Sequence, residues 1–306
     1  MSFAALAGAI APVLVFVGIG MALRRFGLLR RQDTKPLTNV IVYVALPALI
    51  FTSVARAPLS IELLKAAGVA WAVSLAALSV AWEVAHALNL PRRTAGAFVL
   101  VAALGNTGYL GYPVVRALLG EGAMPAAVFY DVFGTVAVLF TLGIAVAARQ
   151  GEHEGGLNVL KELLTFPAMV ALLVALAYRL VPLPVAVSNT VMDWTGIAAS
   201  MAMPLIMVSL GVSLDTTALR GSFKPLGAAA GIKLLLLPVL AVAVATIMRD
   251  RSMLHLLALQ AGMPSMMLSL VVGERFKLDT TFIAATILLT TVACLVTIPL
   301  VQLVVP

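Results

Sequence analysis

Charged residues are scarce in this sequence. Asp, Glu, Lys and Arg together make up 11% of the 306 residues, whereas soluble domains carry roughly a quarter. Cysteine is nearly absent, and the single Cys294 excludes an internal disulfide and a cysteine-based metal site. Apolar residues make up 62% of the chain, and the mean hydropathy is +1.10. This balance excludes a water-soluble protein and predicts a chain that crosses a membrane repeatedly.

Signatures of enzymes are also missing. The sequence has no Gly-x-Ser-x-Gly, His-Glu-x-x-His or phosphate-binding glycine-rich motif, which excludes such hydrolases and an ATP-driven pump. Tyr130-Asp131 is similar to the first aspartate motif of intramembrane aspartyl proteases, but the second aspartate of that dyad is missing. The net charge of +7 comes from scattered residues without a basic stripe, which argues against a nucleic-acid partner. We therefore predict a membrane protein that is not an enzyme and needs no cofactor.

Long apolar runs are what the sequence has instead. A helix needs about 20 apolar residues to cross roughly 30 Å of hydrocarbon, and the runs predict an all-α integral membrane protein with about ten such spans. The predicted spans cover 3–23, 37–55, 66–88, 94–115, 122–148, 163–178, 194–214, 225–248, 252–273 and 280–306.

Basic residues indicate the orientation of these spans. Most of the 20 Lys and Arg residues fall in one set of alternating loops, and such loops face the cytoplasm. This distribution predicts a bacterial-type cytoplasmic membrane with both termini outside. No basic residue precedes the first span and a basic cluster follows it, which is the reverse of a cleavable signal peptide. We therefore expect this span to stay uncleaved as the first helix.

The two halves of the chain resemble each other at an offset of about 155 residues. Pro12 and Arg24 match Pro167 and Arg179, Ala45-Leu46-Pro47 matches Ala202-Met203-Pro204, and Leu104-Gly105-Asn106 matches Leu259-Gln260-Ala261 more loosely. The predicted units are a first five-helix repeat over 1–148, a cytoplasmic linker over 149–162 and a second repeat over 163–306. Because each repeat has an odd number of spans, their topologies are inverted, which is typical of transporters.

The fourth and ninth predicted spans contain residues that disrupt a helix. Glycines lower the cost of leaving helical geometry, prolines free a backbone carbonyl, and unpaired backbone groups must then face a cavity rather than lipid. Asn106 and Gln260 reach a similar depth near the midplane, where transporters bind substrates or ions. Kinks with amides that bond neighbouring helices are the alternative. The predicted substrate-binding residues are Asn106, Thr107, Gly108, Gln260, Met263, Ser265 and Lys233, and the predicted break residues are Gly105, Gly111, Pro113, Gly262 and Pro264.

Ionisable residues lie within three other spans. A charge at the bilayer centre costs about 2.5 to 3.5 kcal/mol on insertion scales, so Lys233, Asp131 and Glu83 each need a partner or water. Asp131 and Glu83 are predicted to couple transport to a proton or a sodium ion. The alternative is a structural pair between Lys233 and Glu83.

Several motifs together resemble those of the auxin efflux carrier family of membrane transporters. They are Leu-Pro-Ala-Leu-Ile-Phe at 46–51, Gly105-Asn106-Thr107 through Pro113, Tyr130-Asp131, Pro204 with Gly211-Val212-Ser213-Leu214, Lys233, Met263-Pro264-Ser265 and Glu274-Arg275. The resemblance covers essentially the whole chain. It implies a fold like that of bile-acid sodium symporters: ten helices in two inverted five-helix repeats, with broken helices four and nine crossing in a core domain packed on a scaffold domain.

The resemblance also implies a function. The crossing would bind the substrate, and Asn106 would contact the carboxylate of an organic anion. The central loop is shorter than in plant auxin exporters, and Pro113 follows the asparagine instead of preceding it, which favours a small carboxylate over auxin. The predicted function is secondary active transport of this anion by alternating access, with the lipid bilayer and a homodimeric copy as further partners. A channel or a membrane ligand sensor of the same fold is the alternative.

Overall fold

The computed structural model describes residues 15–58, 60–152, 159–213, 223–248 and 253–305, which are helical apart from loops and one isolated β-bridge. Pro12 and the start of the first predicted span, residues 153–158 of the predicted linker, and both chain ends lie outside the described residues.

The described helices follow the apolar runs closely. Six of them are long and apolar enough to cross a membrane within the described residues: α2 (Thr34–Ala55), α3 (Ile61–Ala87), α6 (Glu121–Gln150), α9 (Val185–Val212), α10 (Phe223–Ile247) and α13 (Thr280–Val304). The other helical segments are α1 (15–25), α4 (Arg92–Ala103), α5 (Gly111–Leu119), α7 (Val159–Thr165), α8 (Pro167–Tyr178), α11 (Leu254–Ala261) and α12 (Leu268–Arg275).

The helices pack in two groups. In the first group, α2 packs on α8 and α9, and α1 meets α9 where Gly20 and Gly211 bring the two backbones together. In the second group, α3 packs on α4 and α6, α4 on α13, and α10 on α11. Small residues at such contacts let membrane helices approach closely. The groups meet where α2 and α8 contact α6.

The arginines matched by sequence make matching contacts. Arg24 on α1 donates to the carbonyl of Val212 at 3.2 Å, and Arg179 after α8 donates to the carbonyl of Ala55 at 3.1 Å. Ala55 and Val212 are themselves separated by the offset of the second sequence match, about 157 residues. Each arginine therefore binds carbonyls at the C-terminal end of a helix, where a cation is favourable, and the two halves use the same device.

Two helices are interrupted where the sequence predicts breaks. One gap separates α4 from α5, and the other separates α11 from α12. The gaps pair as antiparallel backbone, because the Asn106 amide donates to the Pro264 carbonyl at 2.7 Å and the Met266 amide donates to the Leu104 carbonyl at 3.0 Å. The backbone groups that the breaks release thus satisfy one another.

Pro113 lies in the first turn of α5, which begins at Gly111. The amides of Tyr112 and Val114 donate to the carbonyls of Gly108 and Leu110, so the same pattern at position 113 would bond the Tyr109 carbonyl. Proline has no amide hydrogen and leaves this carbonyl without that bond. Its role in maintaining the break stays a prediction.

Candidate functional site

A small cavity lies beside the paired interruptions, where the two helix groups meet. Its volume is about 30 Å³, which is room for on the order of one water molecule. One wall is polar and carries Asn106, Tyr109, Tyr112 and Asp131. The other wall is apolar and consists of Val42, Leu46 and Ile50 from α2 with Phe166 and Ala168 at the start of α8.

Asp131 is the acidic centre of the polar wall. It is 4% exposed and lies in a π-helical stretch of α6, Tyr130–Val136, a geometry frequent at functional sites. The Thr107 hydroxyl donates to one carboxylate oxygen at 2.5 Å, and the Tyr112 hydroxyl donates to the other at 2.7 Å. Gly108 leaves room for the carboxylate, because a Cβ there would lie 2.8 Å from it.

Asn106 presents its amide beside this carboxylate. Its backbone is held on both sides, since its N–H donates to Pro264 and its carbonyl accepts from the Gly111 amide at 3.0 Å. Its side chain is 4% exposed, lines the cavity and forms no hydrogen bond with the described residues. A buried amide with open hydrogen-bonding capacity beside a cavity is suited to bind a ligand.

Gln260 lies near the interruption without lining the cavity. It is fully buried in the last turn of α11, and its amide nitrogen donates to the Ala127 carbonyl at 3.3 Å. Its side-chain oxygen has no partner among the described residues and packs on Gly111, where a Cβ would lie 2.3 Å away. The backbone of Asn106 pairs with Pro264, so Gln260 is not its hydrogen-bond partner.

Lys233 is buried behind the interruptions. It is 1% exposed, and its ammonium group donates to the Ala261 carbonyl at 2.5 Å, at the C-terminal end of α11. Gly105, just past the end of α4, also approaches it, because a Cβ there would lie 3.2 Å from the Lys233 nitrogen. The C-terminal ends of two helices thus supply negative partial charge to this cation.

The other intramembrane charges do not pair with Lys233. Within the described part of the chain, Lys233 forms no ion pair, and Asp131 binds only hydroxyl groups. Glu83 is exposed and lines a separate surface groove together with Arg149. The structure therefore does not support the alternative of a Lys233–Glu83 pair, and Glu83 lies away from the cavity.

The remaining predicted residues build the second interruption. Ser265 is fully buried, donates to the Val101 carbonyl at 2.7 Å and forms the β-bridge with Gly105. Met263 is buried at 0% exposure, and Gly262 caps the C-terminal end of α11. These residues hold the paired backbone in place, whereas Asn106 and Gly108 reach the cavity itself.

Sequence reasoning did not select several residues of the cavity. Tyr109 and Tyr112 lie inside the motif of the fourth span, and their spacing of three residues places both on one side of a helical turn. Met266 and the apolar wall carry no polar signal, so only the contact between the two helix groups identifies them.

A charged cluster joins the end of α6 to both interrupted helices. Glu152 accepts hydrogen bonds from Arg93 at the start of α4 and from Lys277 after α12, and its amide donates to the Phe276 carbonyl at 2.8 Å. The hydrogen bond from Arg93, and then that from Lys277, hold the pKa of Glu152 below its ordinary value of 4.5. The start of the predicted linker is therefore attached to both halves.

This lowered pKa predicts a pH-dependent contribution to stability. The contribution is present above the carboxyl's unfolded-state pKa and is lost as the pH falls through the lower folded-state pKa. We expect Glu152→Gln to lower the unfolding temperature slightly at pH 7, because the cluster is exposed, and the difference from wild type to shrink as the pH falls below 4.5 and to vanish below the folded-state pKa. Thermal unfolding in detergent checks this. Asp193→Asn, at an exposed carboxylate without a described ion pair, is the control; an equal effect of both changes at pH 7 contradicts the prediction.

Apolar helices long enough to cross a membrane, interrupted helices that pair, and a buried polar cavity together define a polytopic membrane transport protein. The chain matches a family described as "Membrane transport protein" over residues 5–155 and 154–302. It therefore belongs to this family, which is the auxin efflux carrier family that its motifs resemble. The family assignment confirms the prediction of an integral membrane transporter rather than an enzyme.

Three relatives that the chain resembles are named as transporters. The chain is 31% identical over 291 residues to an uncharacterized transporter of Methanothermobacter thermautotrophicus, with 94% of each chain covered. It is 31% identical over 300 residues to an uncharacterized transporter of Methanocaldococcus jannaschii, covering 94% of this chain and 95% of that one. It is 27% identical over 277 residues to a Rhizobium meliloti protein named "Putative malonate transporter", covering 86% of this chain and 84% of the relative.

Proposed function

We propose that this protein carries a small organic anion, such as a dicarboxylate, across the cytoplasmic membrane by alternating access at the paired interruptions. The observation that carries the proposal is the free amide of Asn106 in a buried cavity that lies between the two helix groups. The family assignment and the Rhizobium meliloti relative whose name refers to malonate support it.

The architecture proposed with this function has ten spans in two inverted repeats. Each interrupted pair, α4 with α5 and α11 with α12, counts as one span, and α7 with α8 counts as another. The matching arginine contacts support the repeat, and the two family matches meet at residues 154–155, within the predicted linker. The group with the interruptions would be the core and the other group the scaffold, with both termini outside.

The carboxylate of the substrate would meet three kinds of donor. The Asn106 amide faces the cavity, and α5 and α12 both begin close to it, with Leu268 of α12 in its wall. Helix N-termini carry positive partial charge and favour anions. Lys233 would add long-range positive charge from behind the interruptions.

The size of the cavity supports a carrier over a channel. A volume of about 30 Å³ is too small for a dicarboxylate. The substrate would therefore enter only when the apolar wall of α2 and α8 moves relative to the polar wall, which is the motion that alternating access requires. Saturable counterflow of labelled substrate distinguishes this carrier from a channel or a sensor.

Uptake of labelled malonate into proteoliposomes tests the assignment of the site. We expect Asn106→Ala to raise KM tenfold or more, because a hydrogen bond to a charged group contributes about 1.5–3 kcal/mol. Asn189→Ala, at an exposed asparagine of α9, is the matched control and should leave KM unchanged. Wild-type rate and affinity in Asn106→Ala would exclude the cavity as the binding site.

A further inference from the structure

The cavity has an unusual inventory of charge for a site that receives an anion. Asp131 lines it, whereas no lysine, arginine or histidine of the described chain does. Lys233 is engaged with the Ala261 carbonyl on the other side of the interruptions. An ionised Asp131 would therefore repel the anion that the Asn106 amide attracts, and no cation among the described residues lines the cavity to offset the repulsion.

The groups around Asp131 come from the helices packed on α6. The fourth-span motif contributes Thr107, Tyr109 and Tyr112. On α3, Trp71 bonds the Phe133 carbonyl of α6, and the ionisable residues of this helix, Glu62, Lys65, Glu83 and His86, lie toward its two ends. On α2 and α8 the residues that reach the cavity are apolar. Among the residues that the structure describes, Asp131 thus meets hydroxyl groups and no permanent charge.

Hydroxyl partners suit both protonation states of a carboxyl group. When Asp131 is ionised, the hydroxyls of Thr107 and Tyr112 donate to its two oxygens, as in the structure. When Asp131 is protonated, its own O–H can donate to one of these hydroxyls, because a hydroxyl both donates and accepts. An arginine or lysine in their place would fix the charged form. The network is therefore able to gain and lose one proton without leaving a buried group unpaired.

We propose that Asp131 takes up one proton whenever the anion occupies the cavity, so that the anion and a proton cross the membrane together. The proton would bind a carboxylate oxygen of Asp131 from the side to which the cavity is open, and it would leave to the opposite side after the anion. This inference rests on the proposed function, and it selects a proton over sodium as the coupling ion. Asp131 would be the coupling residue, and Glu83 would not be.

Proteoliposomes with labelled malonate separate coupling from binding. In wild type we expect a pH gradient with the outside more acidic than the lumen to accelerate net malonate uptake at least tenfold. We also expect uptake to acidify the lumen, which a pH-sensitive dye inside the liposomes reports. Asp131→Asn should abolish both effects, and any malonate counterflow that this variant supports should not depend on pH, because its side chain cannot take up the proton. Asp193→Asn, an isosteric change at an exposed carboxylate, should behave like wild type.

The outcomes distinguish the two proposals. Absence of malonate counterflow in wild type would overturn the proposed substrate class, whereas counterflow without any response to the pH gradient would overturn only the proton coupling. Acceleration by a sodium gradient at equal pH, or full proton movement in Asp131→Asn, would also overturn it. Loss of the pH response in Glu83→Gln but not in Asp131→Asn would show that Glu83, and not Asp131, is the coupling residue.

A second pair of variants keeps the test valid if Asp131→Asn does not fold. Tyr112 and Tyr109 both line the cavity, but Tyr112 bonds Asp131, whereas the Tyr109 hydroxyl has no partner among the described residues. Tyr112→Phe should therefore shift the pH dependence of uptake by at least half a unit, and Tyr109→Phe should not. Equal pH profiles for the two variants would contradict the role of the hydroxyl network.

Discussion

Replacing Gly211 by alanine is expected to destabilise this protein strongly. A Cβ at this position of α9 would lie 2.1 Å from the Val17 carbonyl oxygen and 2.9 Å from the Met21 amide nitrogen of α1. Both obstacles are backbone atoms, so no side chain can rotate to make room. The two helices would have to move apart, and overpacking of this kind costs about 1–3 kcal/mol or more. Valine at the same position should prevent folding.

A matched glycine provides the control for this experiment. Gly196 lies on the same helix, and a Cβ there would meet no atom within 4 Å. Because alanine favours a helix over glycine, Gly196→Ala should be neutral or stabilise by up to about 1 kcal/mol. Thermal unfolding of the detergent-solubilised proteins compares the two. An unfolding temperature for Gly211→Ala at or above that of Gly196→Ala would show that α1 and α9 are not in close backbone contact.

The interruptions could be predicted because their cause is local. Gly105, Gly111, Gly262 and Pro264 lie within short stretches whose composition disfavours a continuous helix, and the structure interrupts both spans there. Their antiparallel pairing follows from the need to satisfy released backbone groups in the membrane. The exact partners, such as Asn106 with Pro264, required the three-dimensional register.

The environments of the intramembrane charges could not be predicted in the same way. Depth along a helix follows from the rise per residue, but the direction of a side chain depends on packing. Sequence therefore identified Lys233 and Asp131 as buried charges, and it did not identify their partners. Lys233 binds a carbonyl at a helix end, and Asp131 binds Thr107 and Tyr112. Glu83 lies at a surface groove because its side of α3 faces outward.

The contrast between the cavity walls indicates how the two helix groups would move. Polar contacts connect the interruptions to α6 within one group, through Asp131, Thr107 and Tyr112. The wall formed by α2 and α8 presents only apolar side chains to the cavity. Apolar contacts are non-directional, so sliding along them breaks no hydrogen bond. We expect the interrupted group to move as a unit, with the cluster at Glu152 holding the ends of α4 and α12 together.

Substitutions at Gly111 and Gln260 are expected to show whether Gln260 packs against the interruption or contacts the substrate. A Cβ on Gly111 would lie 2.3 Å from the Gln260 side-chain oxygen, and the fully buried amide would have to leave its bond to Ala127. Gly111→Ala should therefore reduce malonate counterflow at least tenfold and lower the unfolding temperature. Gly122→Ala, where a Cβ would meet nothing within 4 Å, should change neither.

The double variant decides what Gln260 does. If Gln260 acts by packing under the interruption, Gln260→Ala creates the space that Gly111→Ala needs, and the double variant should be more stable and more active than Gly111→Ala alone. The coupling free energy between neighbouring sites of this kind is about 0.5–3 kcal/mol. If Gln260 contacted the substrate, Gln260→Ala would remove counterflow by itself, and adding it to Gly111→Ala could not restore any. If the losses of unfolding temperature and counterflow in the double variant equal the sum of those in the two single variants, the packing role is contradicted. Gln260 would then be assigned to the substrate site.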